Sequence, residues 1–195
     1  MPTTLSLLIP MSKNSKLDFL LWNCNGIRGK THTLDYLITT NKPDIFVLTE
    51  TKLDTTISDN EISTDYTIYR RDRRDGLGPG GGVLIGVLNY CPVSVVNSQP
   101  SDNGEILQLN MSVNGFSFVL CVYYRRPAVR SVEDIIHWYS NIVNPNTIIL
   151  GDFNLPGIDW NDKVIKPGAT DKLMCETFLD FVNSNDLTTP ITFPT

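Results

Sequence analysis

Leu17-Asp18-Phe19-Leu20-Leu21-Trp22-Asn23-Cys24-Asn25-Gly26 reads as a short apolar strand running into a polar turn. The same layout returns twice. Ile45-Phe46-Val47-Leu48 delivers Thr49-Glu50-Thr51, and Thr147-Ile148-Ile149-Leu150 runs into Gly151-Asp152-Phe153-Asn154. Strands lying side by side would gather these ends on one rim, bringing Asn23, Asn25, Glu50, Asp152 and Asn154 together. That set is rich in oxygen, poor in imidazole and free of thiol, which suits Mg²⁺ or Mn²⁺ rather than zinc. The chemistry it implies is phosphoester hydrolysis, with the cation polarising the phosphate and stabilising the leaving oxygen. Each piece alone has a structural explanation. A Glu at a strand end is commonly a solvated cap, Asn before Gly is a turn former, and Gly-Asp-x-Asn makes an Asx-turn. The conjunction of the three carries the reading.

Working outward, apolar recurrence at Leu34, Leu37 and Ile38 predicts a helix over about 31–40, stopped by Lys42-Pro43-Asp44. Further strands are expected at 66–71, 82–88, 93–96, 106–111 and 116–124, the last two joined by an Asn114-Gly115 hairpin signal. Helices follow at about 132–143 and 171–183, separated by a Pro/Gly-rich loop over 155–169. Ile191-Thr192-Phe193 begins one more strand. Residues 1–16 read as a poorly ordered leader, and 17–195 as one domain. About eight strands and three helices, with hairpins in the middle, predict an α/β or α+β fold of mixed sheets stacked with flanking helices.

The 195 residues carry 16 Lys+Arg against 21 Asp+Glu, a net charge of −5 that argues against a non-specific basic DNA coat. A metal-dependent nuclease remains compatible, since it needs clustered carboxylates and only a local basic surface. With 41% apolar and 19% charged residues, the protein is neither disordered nor a coiled coil. Cys24, Cys91, Cys121 and Cys175 form no C-x-x-C pair and are expected to be reduced thiols of an intracellular protein. The run Leu5-Ser6-Leu7-Leu8-Ile9 lacks the flanks of a signal peptide, and no stretch approaches membrane-spanning length.

These boxes resemble the endonuclease/exonuclease/phosphatase superfamily and, more narrowly, the endonuclease domain of non-LTR (LINE-type) retrotransposons. The residues involved are Leu21–Gly26, Leu48–Leu53, Tyr69–Arg73, Gly80–Val83, Val122–Pro127 and Gly151–Asn154, spanning nearly all of 17–195. Gly-Asp-Phe-Asn belongs to the whole superfamily. The Tyr-Arg-x-Pro and Arg-Asp-Arg…Gly-Gly-Gly-Val segments point to the retroelement branch.

The resemblance implies a four-layer α/β sandwich with its site at one edge of two packed sheets. It implies Glu50 as principal metal ligand, with Asn25 near the metal shell and Asn23 orienting ligands and phosphate. Tyr124, chosen over Tyr123 because it precedes Arg-x-Pro, would bring its phenol to the phosphate. Asp152 would orient or activate the attacking water, and Asn154 would donate to a non-bridging oxygen. Arg125, Arg126 and the basic turn containing Arg71, Arg73 and Arg74 are expected at the DNA backbone, although local ion pairs explain that turn equally well.

The family pattern closes with further strands and a final Asp-His pair, which this sequence does not reach before Thr195. His32 and His137 open or sit within helices and read as structural or surface residues. The expectation is therefore a Mg²⁺-dependent DNA-nicking lineage, truncated at its C-terminus, lacking the last strands and impaired in turnover. Its expected partners are DNA and a reverse-transcriptase segment of a full-length element, in a nuclear monomer with no membrane attachment. Two alternatives stand beside it: a catalytically dead nucleic-acid-binding or vestigial fragment, and a phosphomonoesterase or phospholipase of the same superfamily.

Overall fold

The computed structural model describes residues 2–9, 15–73, 80–89, 93–96, 104–113, 115–142 and 146–188. Two mixed sheets stack face to face. The first contains β1 (Thr3–Ile9), β2 (Ser15–Asn23), β3 (Ile45–Thr49), β4 (Tyr66–Arg71) and β5 (Val83–Leu88), in the order β1-β2-β3-β5-β4. The second contains β6 (Val93–Val96), β7 (Gly104–Val113), β8 (Phe116–Arg125) and β9 (Thr147–Asp152), in sequence order. Helix α1 (Thr31–Asn41) connects the parallel pair β2/β3, and α2 (Glu133–Ser140) connects the parallel pair β8/β9. Parallel neighbours need such crossovers, whereas the antiparallel β7 and β8 pair as far as Val113↔Phe116, with Gly115 at φ 86° just before β8. A two-stranded ribbon, β10 (Ile158–Asp159) with β11 (Val164–Ile165), precedes α3 (Lys172–Ser184).

Strand alternation divides the apolar residues among three interfaces. Leu17, Phe19 and Leu21 of β2, Ile45 and Val47 of β3, and Val83, Ile85 and Val87 of β5 face inward. They meet Leu107, Leu109 and Met111 of β7, Leu120 and Val122 of β8, and Leu150 of β9. The opposite parity, Leu20, Trp22, Phe46, Leu48 and Leu84, packs under Leu34 of α1. On the far side, Cys121 and Tyr123 pack against Ile135 of α2 and Cys175, Phe178 and Val182 of α3. Both faces of the central strands are thus covered, which explains their near-continuous apolar runs. The layers run α1, sheet, sheet, α2 with α3: the four-layer α/β sandwich.

The expected helices and strands fall within a residue or two of their positions, with three differences. The leader expected to lack order contains β1, which pairs antiparallel with β2 from Thr3↔Leu21 to Ile9↔Ser15 and lays Leu5 on the inter-sheet core. Its apolar run occupies the β2 edge, whose backbone donors and acceptors would otherwise lack partners. The loop over 155–169 contains the β10–β11 ribbon, too short for a periodic signal. The second helix, expected over about 132–143, is α2 and ends at Ser140, with Asn141 and Ile142 already outside it. The Asn114 half of the hairpin signal, Cys91, Arg74, most of the glycine-rich loop and the strand at 191–193 lie outside the described residues.

Candidate active site

The inter-sheet face changes from apolar to polar at one rim. On β2 the inward series Leu17, Phe19, Leu21 ends in Asn23, and on β9 Leu150 is followed two residues later by Asp152. In the second sheet the register sets Glu105, Tyr124 and Asp152 side by side across β7, β8 and β9. In the first, Asn23 lies beside Thr49. An amide is one of the ties between the two sheets at this rim. Asn23 Nδ2 donates to Glu50 Oε1 at 2.9 Å and to Asp152 Oδ2 at 2.8 Å, using both of its hydrogens.

The loops past the strand ends hold these groups in place. Gly26 N donates to the Glu50 carbonyl at 2.7 Å, Ile27 N to that of Thr51 at 3.0 Å, and Lys52 N to that of Gly81 at 2.8 Å. Asn25, Glu50 and Asn154 adopt left-handed backbone at φ 43°, 54° and 49°. Asn tolerates that region, but for Glu50 it costs roughly 1–2 kcal/mol. The three-segment lacing is what sustains it. The Asn23 amide oxygen accepts from Asn25 N at 3.1 Å, and Asp152 Oδ1 accepts from Asn154 N at 3.0 Å, so both turns are Asx-turns.

Tyr124 lies between the sheets with 5% exposure, whereas Tyr123 faces the helices and donates its hydroxyl to Asp134 at 2.8 Å. Burial, reinforced by the nearby Glu50 charge, pushes the Tyr124 phenol up to about 12, so it stays a neutral proton donor at working pH. The Asn154 amide donates one hydrogen to the Arg125 carbonyl at 2.6 Å, leaving its second for an incoming acceptor. Asn25 Oδ1 accepts from the Lys52 ammonium at 2.5 Å, so this oxygen is engaged by one of the protein's own cations.

Arg125 corrects an expectation. It is 1% exposed and donates to the carbonyls of Phe153 (2.7 Å), Arg126 (3.4 Å), Val129 and Asn154. A guanidinium spent on four backbone carbonyls inside the fold cannot reach a DNA phosphate. It instead fixes the Asp152–Asn154 turn. The basic turn follows its ion-pair reading at two positions. Arg70 pairs with Asp59 at 3.4 Å and Asp72 at 3.5 Å, and Arg73 Nε pairs with Glu105 Oε1 at 2.6 Å. Arg73 is therefore an internal residue rather than a surface phosphate contact. Arg71 is half-buried and donates to the Ile106 carbonyl at 3.0 Å, and Arg126 is half-buried. Both histidines are exposed on helices.

Sequence reasoning misses Glu105. Its only sequence signal is a carboxylate at the inward parity of a strand that continues Leu107, Leu109, Met111. An inward charge of that kind requires a buried partner.

A cavity of about 380 Å³ opens beside the rim, lined by Asp152, Asn154, Phe153, Trp160, Asn161 and Lys166 among others. Its size falls in the range of small-ligand sites, roughly 300–1,000 Å³. Among the described residues no three His, Cys, Asp or Glu side chains gather as a metal cluster. The rim offers two carboxylates and three amides instead. Glu50 is half-exposed, with one oxygen bonded to Asn23, and fits a hard cation that keeps most of its waters. Asn25 fits only after Lys52 is displaced from its oxygen.

The protein belongs to the endonuclease/exonuclease/phosphatase family, whose sequence profile matches residues 20–195. The fold is similar to the endonuclease domain of TRAS1, a telomere-specific non-LTR retrotransposon. That match has a TM-score of 0.64 at 14% identity and covers 86% of this chain and 71% of that one. It is also similar to an AP endonuclease from Archaeoglobus fulgidus, with a TM-score of 0.56 at 21% identity, covering 82% and 65% respectively. A third is the 3′ phosphatase NExo from Neisseria bound to product DNA hairpin, with a TM-score of 0.55 at 16% identity, covering 85% and 71%. The protein thus spans about two thirds of the length of these structures. No curated protein sequence matches significantly. Among the described residues no helix is long and apolar enough to cross a membrane.

Proposed function

We propose that this protein is a divalent-metal-dependent endonuclease domain that hydrolyses DNA phosphodiester bonds, of the kind that nicks target DNA for retrotransposition. The observation that carries the reading is the Asn23 bridge. It holds a ligand-type carboxylate, Glu50, and a base-type carboxylate, Asp152, on opposite sheets of one polar rim. The likeness to a retrotransposon endonuclease supports the lineage, and the Tyr-Arg-x-Pro and glycine boxes favour it over the phosphatase relatives. In this reading the domain works on nuclear DNA as a monomer, alongside a reverse-transcriptase segment.

Glu50 would hold the cation, Mg²⁺ or Mn²⁺, with Asn25 joining once Lys52 moves. The bound cation supplies polarisation of the phosphate and stabilisation of the leaving oxygen. Asp152, with both oxygens already accepting from Asn23 and Asn154, accepts a hydrogen bond from the attacking water and sets its direction. The free amide hydrogen of Asn154 and the neutral Tyr124 phenol donate to non-bridging oxygens as charge builds there. Arg71 and Arg126 are the cations of the expected set that remain candidates for the DNA backbone.

Supercoiled plasmid tests this directly. Nicking with Mg²⁺ that is lost with chelator and in Glu50→Gln is the expected result. DNA binding without nicking would mark a catalytically dead binding fragment. Release of phosphate from a 3′-phosphorylated oligonucleotide, without nicking, would mark a phosphomonoesterase.

A further inference from the structure

The Arg-Asp-Arg and Gly-Gly-Gly boxes meet at a buried ion pair. Arg73 and Glu105 have side chains 13% and 6% exposed, with Nε donating to Oε1 at 2.6 Å. The second carboxylate oxygen accepts from the Gly82 N–H. Gly81, at φ 64°, is shaped around the pair: a Cβ there would lie 2.2 Å from Glu105 Oε1 and 2.3 Å from Arg73 Nη2, whereas one on Gly82 would meet Thr51 Oγ1 instead. A side chain on Gly81 would push the paired ends of Arg73 and Glu105 aside. Replacing such a pair with apolar residues is often neutral or stabilising, so stability alone does not explain a built enclosure for it.

Its neighbour supplies the reason. Glu105 stands beside Tyr124 in the β7–β8 register, and the Arg73 guanidinium carbon lies 6.0 Å from the centroid of the Tyr124 ring, within cation–π range. Tyr124 in turn stands beside Asp152. We propose that Arg73, held by Glu105 and the glycine turn, is a positioning residue that fixes the Tyr124 ring and aims its phenol at the scissile phosphate. This rests on the nuclease reading above. The planar cation holds one face of the ring, and Glu105 holds the cation. The glycine box is a seat for that arrangement.

The test is a double-mutant cycle in plasmid nicking. Arg73→Met with Glu105→Gln keeps side chains of similar size and removes both charges of the pair together. It should lower kcat on the order of 10-fold with KM changed less than about twofold. In a Tyr124→Phe background the same pair of changes should cost less than about twofold more. Arg73→Lys, which keeps the charge without the planar face, should fall between wild type and the pair. Equal losses in both backgrounds, or no loss at all, overturn the proposal. A readout independent of activity separates its failure from that of the nuclease reading. With 3-fluorotyrosine at position 124, the wild-type ¹⁹F line should be single and narrow, and shifted or broadened in the Arg73→Met/Glu105→Gln variant. If the wild type does not nick DNA, the function reading fails and the ¹⁹F line alone decides this one. An unchanged line overturns it.

Discussion

Asn23 and Asp152 lie 129 residues apart in sequence, and a 2.8 Å hydrogen bond between them joins the two sheets at their polar rim. The same amide nitrogen reaches Glu50 at 2.9 Å. Two carboxylates close enough to share one donor would repel each other without it. The amide therefore sets both their spacing and their direction.

Replacing Asn23 separates structure from chemistry. Asn23→Ala should reduce nicking by about 10² or more, since a displaced catalytic group costs that much. It should move the urea midpoint little, because Asn23 is exposed and lies beyond the apolar core. Asn23→Asp should be the more destabilising of the two, because it sets a third carboxylate against Glu50 and Asp152. Parallel nicking assays and urea titrations check both.

Arg125 should behave as part of the fold. Arg125→Met strands the carbonyls of residues 129, 153 and 154, while that of Arg126 keeps its bond from Val129 N, and each buried acceptor left unpaired costs about 1–3 kcal/mol before relaxation. A loss of at least ~3 kcal/mol in chemical denaturation is expected. A variant of unchanged stability with weakened DNA binding would return Arg125 to the surface role its sequence context implies.

Gly151 marks where backbone approaches backbone. At φ 142° it lies so close to β8 that a Cβ would sit 1.8 Å from the Tyr123 carbonyl oxygen. Neither partner is a flexible side chain, so Gly151→Ala should disrupt the β8–β9 pairing and with it Asp152. Loss of amide-exchange protection at Val119, Cys121 and Tyr123, whose parity faces β9, with the β7-facing amides of Leu120 and Val122 and those of α1 retained, is the expected signature.

Alkali should unfold the protein earlier than its net charge suggests. Burial raises Cys24 and Cys175 from 9.0 to about 11, and Tyr124 from 10.0 to about 12. Above the unfolded values the unfolded state releases these protons while the native state keeps them. Stability is therefore full below pH 9 and falls as pH rises toward 12, each pH unit between the unfolded and folded values of a group being worth about 1.4 kcal/mol. Urea midpoints flat from pH 7 to 8.5 and falling steeply above pH 9.5 are expected.

The central strands are legible in the sequence because burial on both faces leaves continuous apolar runs, as in Ile45-Phe46-Val47-Leu48. The rim is legible for a related reason: where each run stops, the next inward position is polar. Leu5–Ile9 misleads because an apolar run near a terminus looks the same whether it finds a strand edge or none. Arg125 misleads because sequence gives a charge but not the direction in which its partners lie. The inward parity of Glu105 is visible, yet its partner Arg73 lies 32 residues away and only the fold brings them together.

The most direct measurement is Mg²⁺-dependent nicking of supercoiled plasmid by the purified protein, with Glu50→Gln and Asp152→Asn alongside. The account predicts nicking that requires the metal and falls by about 10² or more in each variant. Nicking that persists in chelator, or in either variant at the wild-type rate, would contradict it.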